Sequence, residues 1–158
     1  MSSFIRADKR LGQHFLRDEH VIDRLIAAIR PQPDDALLEI GPGLGALTLP
    51  LLRETGRLTA IEYDARLIAP LTTRAAPLGE LHLIHADILD VDFAQIPPQP
   101  EHWRLVGNLP YNLSSPILFH CLAARARIAD MHFMLQKEVV DRITAAPGSK
   151  TWGRLSLM

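Results

Sequence analysis

Val21, Ile22, Leu25, Ile26 and Ile29 recur at helical spacing on one face, and Asp18 stands before them as an N-cap. A helix is predicted over 19–30, ended by Pro31 and Pro33. The pattern then changes to a short apolar run, ALLEI (36–40), which reads as a strand leading into GPGLG. From there the two patterns alternate. Helices are predicted over about 46–55, 64–75, 115–125 and from 137 to 143, with Pro50, Pro70 and Pro116 read as early prolines whose missing N–H costs little. Strands are predicted over 57–62, 81–87, 103–108 and 129–136, and PPQP (97–100) marks a loop before the fourth strand. This alternation predicts an α/β fold with a mainly parallel sheet.

In such sheets ligands gather at the carboxyl ends of the strands, near the point where strand order reverses. The tips to inspect are therefore Glu39–Gly45, Glu62–Asp64, Asp87–Ile88 and Asn108–Tyr111. Gly41, Gly43 and Gly45 follow the first strand directly and, with Ala46, fit the G-x-G-x-x-A fingerprint of nucleotide-binding turns. Glu62 lies 21 positions after Gly41 at the end of the second strand, where a carboxylate accepts both hydroxyls of a ribose. Together they predict a nucleoside-containing cofactor, NAD or S-adenosylmethionine. Asp87 is a candidate acceptor for an adenine amino group and, equally, a cap for the following turn.

The fourth tip separates the two cofactors. In VGNLPYNLSSPI (106–117) a turn accounts for Asn108 and Pro110, but not for Tyr111. The Asn108 side-chain oxygen and the Leu109 carbonyl can both accept from one exocyclic NH2, while Pro110 stiffens the loop so that they converge. Tyr111 offers a face for a stacked base, worth about 1–3 kcal/mol. Two acceptors expose the nitrogen lone pair and stabilise the positive charge that develops as it attacks a methyl group. A hydride-transfer enzyme would need a proton donor or acceptor here, and Asn-Leu-Pro-Tyr has none.

Length and charge narrow the setting. The 158 residues suffice for one domain, and no apolar run reaches membrane-span length. The first residues carry charge without an apolar core, so no secretory signal is expected. Cys121 is the only cysteine, which excludes an internal disulfide and fits a reducing cytoplasm. Net charge is −1, against a uniformly basic nucleic-acid binder, but residues 1–30 and 137–158 each carry net +2 around a middle of net −5. Seven histidines raise the question of a metal. His82 and His85 are three apart on a predicted strand and so face opposite sides, and no metal site is expected.

The segments LGQHFL (11–16), LLEIGPGLGALT (37–48), IEYD (61–64), HADIL (85–89), VGNLPYNLSSPILF (106–119) and MLQKEVVDRI with GRLSLM (134–143, 153–158) together resemble one family. It is the small-subunit ribosomal RNA adenine dimethyltransferases, also called methyltransferase A or kasugamycin dimethyladenosine transferases. The resemblance implies a Rossmann-like S-adenosylmethionine-dependent methyltransferase fold with helices on both faces of the sheet. It implies that Gln13, His14 and Leu16 close over the cofactor, though several relatives carry Asn at the position of His14. Gly41 and Gly43 would approach its methionine part and ribose, Glu62 would hold the ribose hydroxyls, and Asp87 and Ile88 would surround the adenine. Asn108, Leu109, Pro110 and Tyr111 would hold the target adenine, with Asn108 also bordering the cofactor.

The reaction implied is transfer of two methyl groups to N6 of each of two adjacent adenosines near the 3′ end of small-subunit rRNA, during ribosome biogenesis. The partners implied are that rRNA and the small ribosomal subunit, with the protein a cytoplasmic monomer. The family's pattern continues past Met158, so residues 1–158 are expected to be a cofactor-binding domain lacking the last two strands and a helical C-terminal domain, and to bind the cofactor sooner than to complete catalysis alone. Two other readings stay open: a large-subunit rRNA adenine methylase of the antibiotic-resistance type, and a non-catalytic ribosome-assembly factor.

Overall fold

The computed structural model of the chain describes residues 17–157. Five strands, β1 (Leu37–Ile40), β2 (Arg57–Glu62), β3 (Glu80–His85), β4 (Trp103–Asn108) and β5 (Ile128–Met134), form one sheet. Their order is β3-β2-β1-β4-β5, and every pairing is parallel. The chain steps outward from β1 to β3, then returns to the other side of β1 for β4, so the order reverses between β1 and β4. The helices are α1 (Glu19–Ile29), α2 (Thr48–Thr55), α3 (Ala65–Ala75), α4 (Ser114–Ala123), α5 (Lys137–Ile143) and α6 (Arg154–Leu157).

Alternation along the strands divides the core in two. Leu37, Leu58 and Val106 pack with Ile29 of α1, Leu51 and Leu52 of α2 and Ala75 of α3 on one face. Leu38, Ile40, Ile61 and Leu105 pack with Ile117, Leu118 and Cys121 of α4 and Val139 of α5 on the other. Burial pushes the Cys121 thiol up to about 12, so it stays protonated in the core.

The local signals act largely as expected. Asp18 caps α1, accepting from the N–H groups of His20 at 3.0 Å and Val21 at 3.4 Å. Pro50 is the third residue of α2 and sits in its first turn. Pro70 corrects the expectation of an early proline: it is the sixth residue of α3, where it removes an intrahelical hydrogen bond. The helix persists because Leu67 and Leu71 are buried on either side of it and Asp64 caps its start. Ser114 differs too. Its hydroxyl does not cap α4 but donates back to the Pro110 carbonyl at 2.9 Å.

At the amino-terminal pole of the sheet, Arg104 of β4 joins three segments. Its guanidinium meets Asp35 at 2.5 Å and Asp130 of β5 at 3.0 Å, and donates to the Ile29 carbonyl at 2.7 Å. These partners hold its charge firmly, raising its pKa, chiefly through Asp130. Arg104→Leu would strand two neighbouring carboxylates and a carbonyl. Partial exposure discounts the loss to about 2–3 kcal/mol, or roughly 5–10 °C in Tm. Thermal unfolding of the variant checks this, and an unchanged Tm would mean solvent already screens the cluster.

Candidate active site at the carboxyl ends of the strands

The loops that follow β1, β2 and β4 lie around the reversal between β1 and β4, and the turn after β3 lies beyond β2. The first leaves β1 through Gly41, whose φ is +68°, a region that L side chains rarely adopt. A Cβ built on Gly41 meets nothing within 4 Å, so the main chain there faces open space. Gly45 serves a different purpose. A Cβ there would lie 2.6 Å from Leu71 Cδ1, so this glycine lets the loop and α2 sit close against α3. Arg74 of α3 ties the same loop down by donating to the Leu44 carbonyl.

Glu62 ends β2 and is only 5% exposed. One carboxylate oxygen accepts from the Gly43 N–H at 3.0 Å and the other from the Asp64 N–H at 2.8 Å. The carboxylate is thus fixed in orientation, and each oxygen keeps a second lone pair for an incoming hydroxyl. Burial pushes the Glu62 carboxyl above the usual carboxylate range, while hydrogen bonds from the Asp64, Gly43 and Tyr63 N–H groups pull it back. The turn that follows is braced from β3, where His85 Nε2 donates to the Tyr63 carbonyl at 3.0 Å.

Asp87 lies just past β3 and accepts from the Leu89 N–H at 2.9 Å, capping a 3-10 turn over Ile88–Asp90. The cap thus exists, and it engages one carboxylate oxygen. Ile88 turns its side chain into the core.

At the end of β4, Asn108 is half-buried and Leu109 is buried, its N–H donating to the Met134 carbonyl of β5 at 3.2 Å. The next two carbonyls differ. That of Pro110 accepts from the Leu113 N–H at 3.2 Å and from the Ser114 hydroxyl, whereas that of Leu109 accepts no main-chain hydrogen bond among the described residues. Tyr111 is 41% exposed. The loop therefore presents an amide, a carbonyl and an aromatic face at its tip. Gln13, His14 and Leu16 lie outside the described residues.

Two contributors escape sequence reading. A Cβ on Gly107 would lie 2.5 Å from the Ile40 carbonyl oxygen, so glycine there permits β4 to approach β1. Glu39 is visible in the sequence as a strand-tip acid, but its setting is not: it is 2% exposed and accepts from the Thr48 hydroxyl of α2 at 2.6 Å. Burial, helped by the nearby Glu62 charge, pushes the Glu39 carboxyl up to about 8.

This has a consequence for stability. The folded-state value lies above the ordinary 4.5, so Glu39 contributes stability that is complete below about pH 4.5 and lost as pH rises through about 8. Glu39→Gln cannot ionise. It is expected to unfold several degrees higher than the parent chain at pH 8–9 and near the parent at pH 5, as thermal melts across that range would show. A separate groove of about 420 Å³ lies at the opposite pole, among Asp35, Arg57, Glu80, His82 and Trp103, away from all three loops.

A parallel sheet with a glycine loop after β1, a pinned acid at the tip of β2 and an amide-proline-tyrosine tip on β4 defines a Rossmann-like methyltransferase fold. Solved structures share it, two of them as follows. A dimethyladenosine transferase from Plasmodium falciparum superposes with a TM-score of 0.79 at 29% identity, over 90% of this chain and 50% of that one. The 23S rRNA methyltransferase ErmE superposes at 0.76 with 32% identity, over 91% and 56%. The chain belongs to the ribosomal RNA adenine dimethylase family, whose profile matches residues 5–158. It is 62% identical over 154 residues to the ribosomal RNA small subunit methyltransferase A of Dichelobacter nodosus (strain VCS1703A), a match that covers 98% of this chain and 58% of that protein. The chain thus spans somewhat more than half the length of the curated relatives it matches.

Proposed function

We propose that residues 1–158 form the cofactor-binding domain of an S-adenosylmethionine-dependent enzyme that dimethylates N6 of two adjacent adenosines near the 3′ end of small-subunit rRNA. The observation that carries this is the convergence, at the reversal between β1 and β4, of the Glu62-pinned glycine loop with a loop whose Asn108 amide, Leu109 carbonyl and Tyr111 ring all lie at its tip. The 62% identity to a small subunit methyltransferase A supports the same substrate.

Glu62 holds the ribose hydroxyls, and Gly41 and Gly43 admit the ribose and methionine part against the main chain. Asp87 accepts from the cofactor adenine through its second oxygen, and Ile88 borders that ring. Gln13, His14 and Leu16 close over the cofactor from the N-terminal side. Bound there, S-adenosylmethionine supplies an electrophilic methyl group. The target adenosine leaves its stack and lies against Tyr111. Asn108 Oδ1 and the Leu109 carbonyl would accept the N6 hydrogens, both in the first transfer and the one that remains in the second, leaving the nitrogen lone pair for the methyl group the cofactor would supply. The cofactor would give up the methyl group and leave as a neutral thioether, and the amine, made acidic by methylation, would lose its proton to water, so no strong base is required of the chain. The protein acts as a cytoplasmic monomer on the small ribosomal subunit, without a metal.

The similarity to ErmE favours one alternative acceptor, the large-subunit rRNA. Transfer of labelled methyl groups to purified small and large subunits decides between them. Label in small-subunit rRNA is expected. Label confined to the large subunit would overturn the substrate assignment, and binding of NAD in preference to S-adenosylmethionine would overturn the cofactor.

A further inference from the structure

We propose that Glu39 is a proton-linked counter-charge beneath the cofactor crevice: it holds a proton in the ligand-free protein, and entry of the positively charged cofactor ionises it, so that binding releases up to about one proton. The proposal deepens the cofactor reading above and rests on it.

The placement comes from register. Glu39 shares strand parity with Leu37 and so faces the side of the sheet covered by α1, α2 and α3. It pairs with Ala60 on β2 and Val106 on β4. Two residues further along those strands, on the same face, are Glu62 and Asn108. Strand spacing puts each about 8 Å from Glu39, one on either side. Glu39 therefore lies directly under the gap that the glycine loop spans, between the residue assigned to the ribose and the residue assigned to the target amine.

The charges around it are one-sided. From β2 the facing charge is Glu62, itself an acid. The facing residues of β4 are Val106 and Asn108, neither of them charged, and α2 presents Thr48, with its one basic residue, Arg53, in its exposed last turn. From α3, Leu67 and Leu71 are buried, Arg66 is paired with Asp64, and Arg74 is bonded to the Leu44 carbonyl. Arg104 is engaged by Asp35 and Asp130 at the other pole. No cation pairs with Glu39 among the described residues. Among the described residues, two carboxylates thus share a desolvated corner without a counter-ion, and the more deeply buried one keeps its proton.

A sulfonium and an ammonium arriving together reverse that balance. The Thr48 hydroxyl lets the change occur cleanly. It donates to Oε2 at 2.6 Å and can equally accept from a carboxylic acid, so either state of Glu39 keeps a partner.

Calorimetric titration of S-adenosylmethionine into the chain at pH 7, in phosphate and in Tris, measures the protons released. The expected release is about 0.5–1 proton, with affinity rising up to about tenfold per pH unit between pH 6 and 7.5. Glu39→Gln should bind with that release lost and the pH dependence flattened. The ligand's own ammonium titrates alike with both proteins and cancels in the comparison. Should Glu39→Gln fail to fold, Thr48→Val decides, because losing the hydroxyl disfavours the ionised state and should move the rise in affinity to higher pH. Binding without proton release, or equal release by Glu39→Gln, would overturn the proposal and leave the cofactor reading standing. No binding at any pH would overturn the cofactor reading and this inference with it.

Discussion

Asn108→Ala is expected to lower methyl transfer to adenosine by about a thousandfold or more, while S-adenosylmethionine affinity changes by less than about fivefold. The asymmetry follows from where the residue sits. Asn108 ends β4, across the reversal from the glycine loop, and its assigned partner is the target amine. Removing its carbonyl leaves the amine one acceptor, the Leu109 carbonyl, so the nitrogen is no longer aligned and its developing charge is half-supported. Glycine-loop and Glu62 contacts are untouched, which keeps the cofactor in place. Single-turnover transfer paired with calorimetric binding separates the two effects. Transfer at the parent rate would remove Asn108 from the chemistry, and a parallel collapse of binding would make it a cofactor residue instead.

Glu62→Ala should do the reverse and abolish binding first. Two charge-assisted hydrogen bonds to ribose hydroxyls, at about 1.5–3 kcal/mol each, correspond to a loss of roughly a hundredfold or more in affinity. The variant also leaves the Gly43 and Asp64 N–H groups without their carboxylate, which frees the loop it positions. Glu62→Gln is the sharper control. Each oxygen of Glu62 accepts from a main-chain N–H, so one end of a glutamine amide would turn a donor toward a donor. It should bind little better than alanine. Binding within threefold of the parent by both variants, with circular dichroism showing them folded, would remove Glu62 from the cofactor site.

Much of this arrangement is legible in the sequence. Helical spacing locates α1 and α3 to within a residue or two, because a one-sided apolar stripe and an aspartate cap coincide in each. The β2 and β4 bounds match the predicted spans because polar or turn-forming residues flank both runs. The glycine spacing and Glu62 point to a nucleoside cofactor because the chemistry is local: a strand, a turn and a downstream acid.

Features set by distant residues stay hidden. Glu39 interrupts an apolar run buried on both faces, so no alternation reveals that it turns toward Thr48 and shares a face with Glu62. Gly107 falls inside the predicted fourth strand, but only the register sets it against Ile40. Arg104 draws its partners from residues 29, 35 and 130, a combination no local pattern encodes. Pro70 looks like a first-turn proline because propensity does not register the packing that carries α3 through it. The short α6 has too few residues for a periodic signal.

The central claim is that these strand tips hold an adenine N6 against a transferable methyl group. Its most direct test is to incubate the protein with S-adenosylmethionine and unmodified small ribosomal subunits, digest the rRNA and identify its nucleosides by mass spectrometry. N6,N6-dimethyladenosine, absent when Asn108→Ala replaces the parent chain, is the expected result. Unmodified adenosine from a chain that binds S-adenosylmethionine tightly would contradict the claim that residues 108–111, with the glycine loop and Glu62, carry the chemistry.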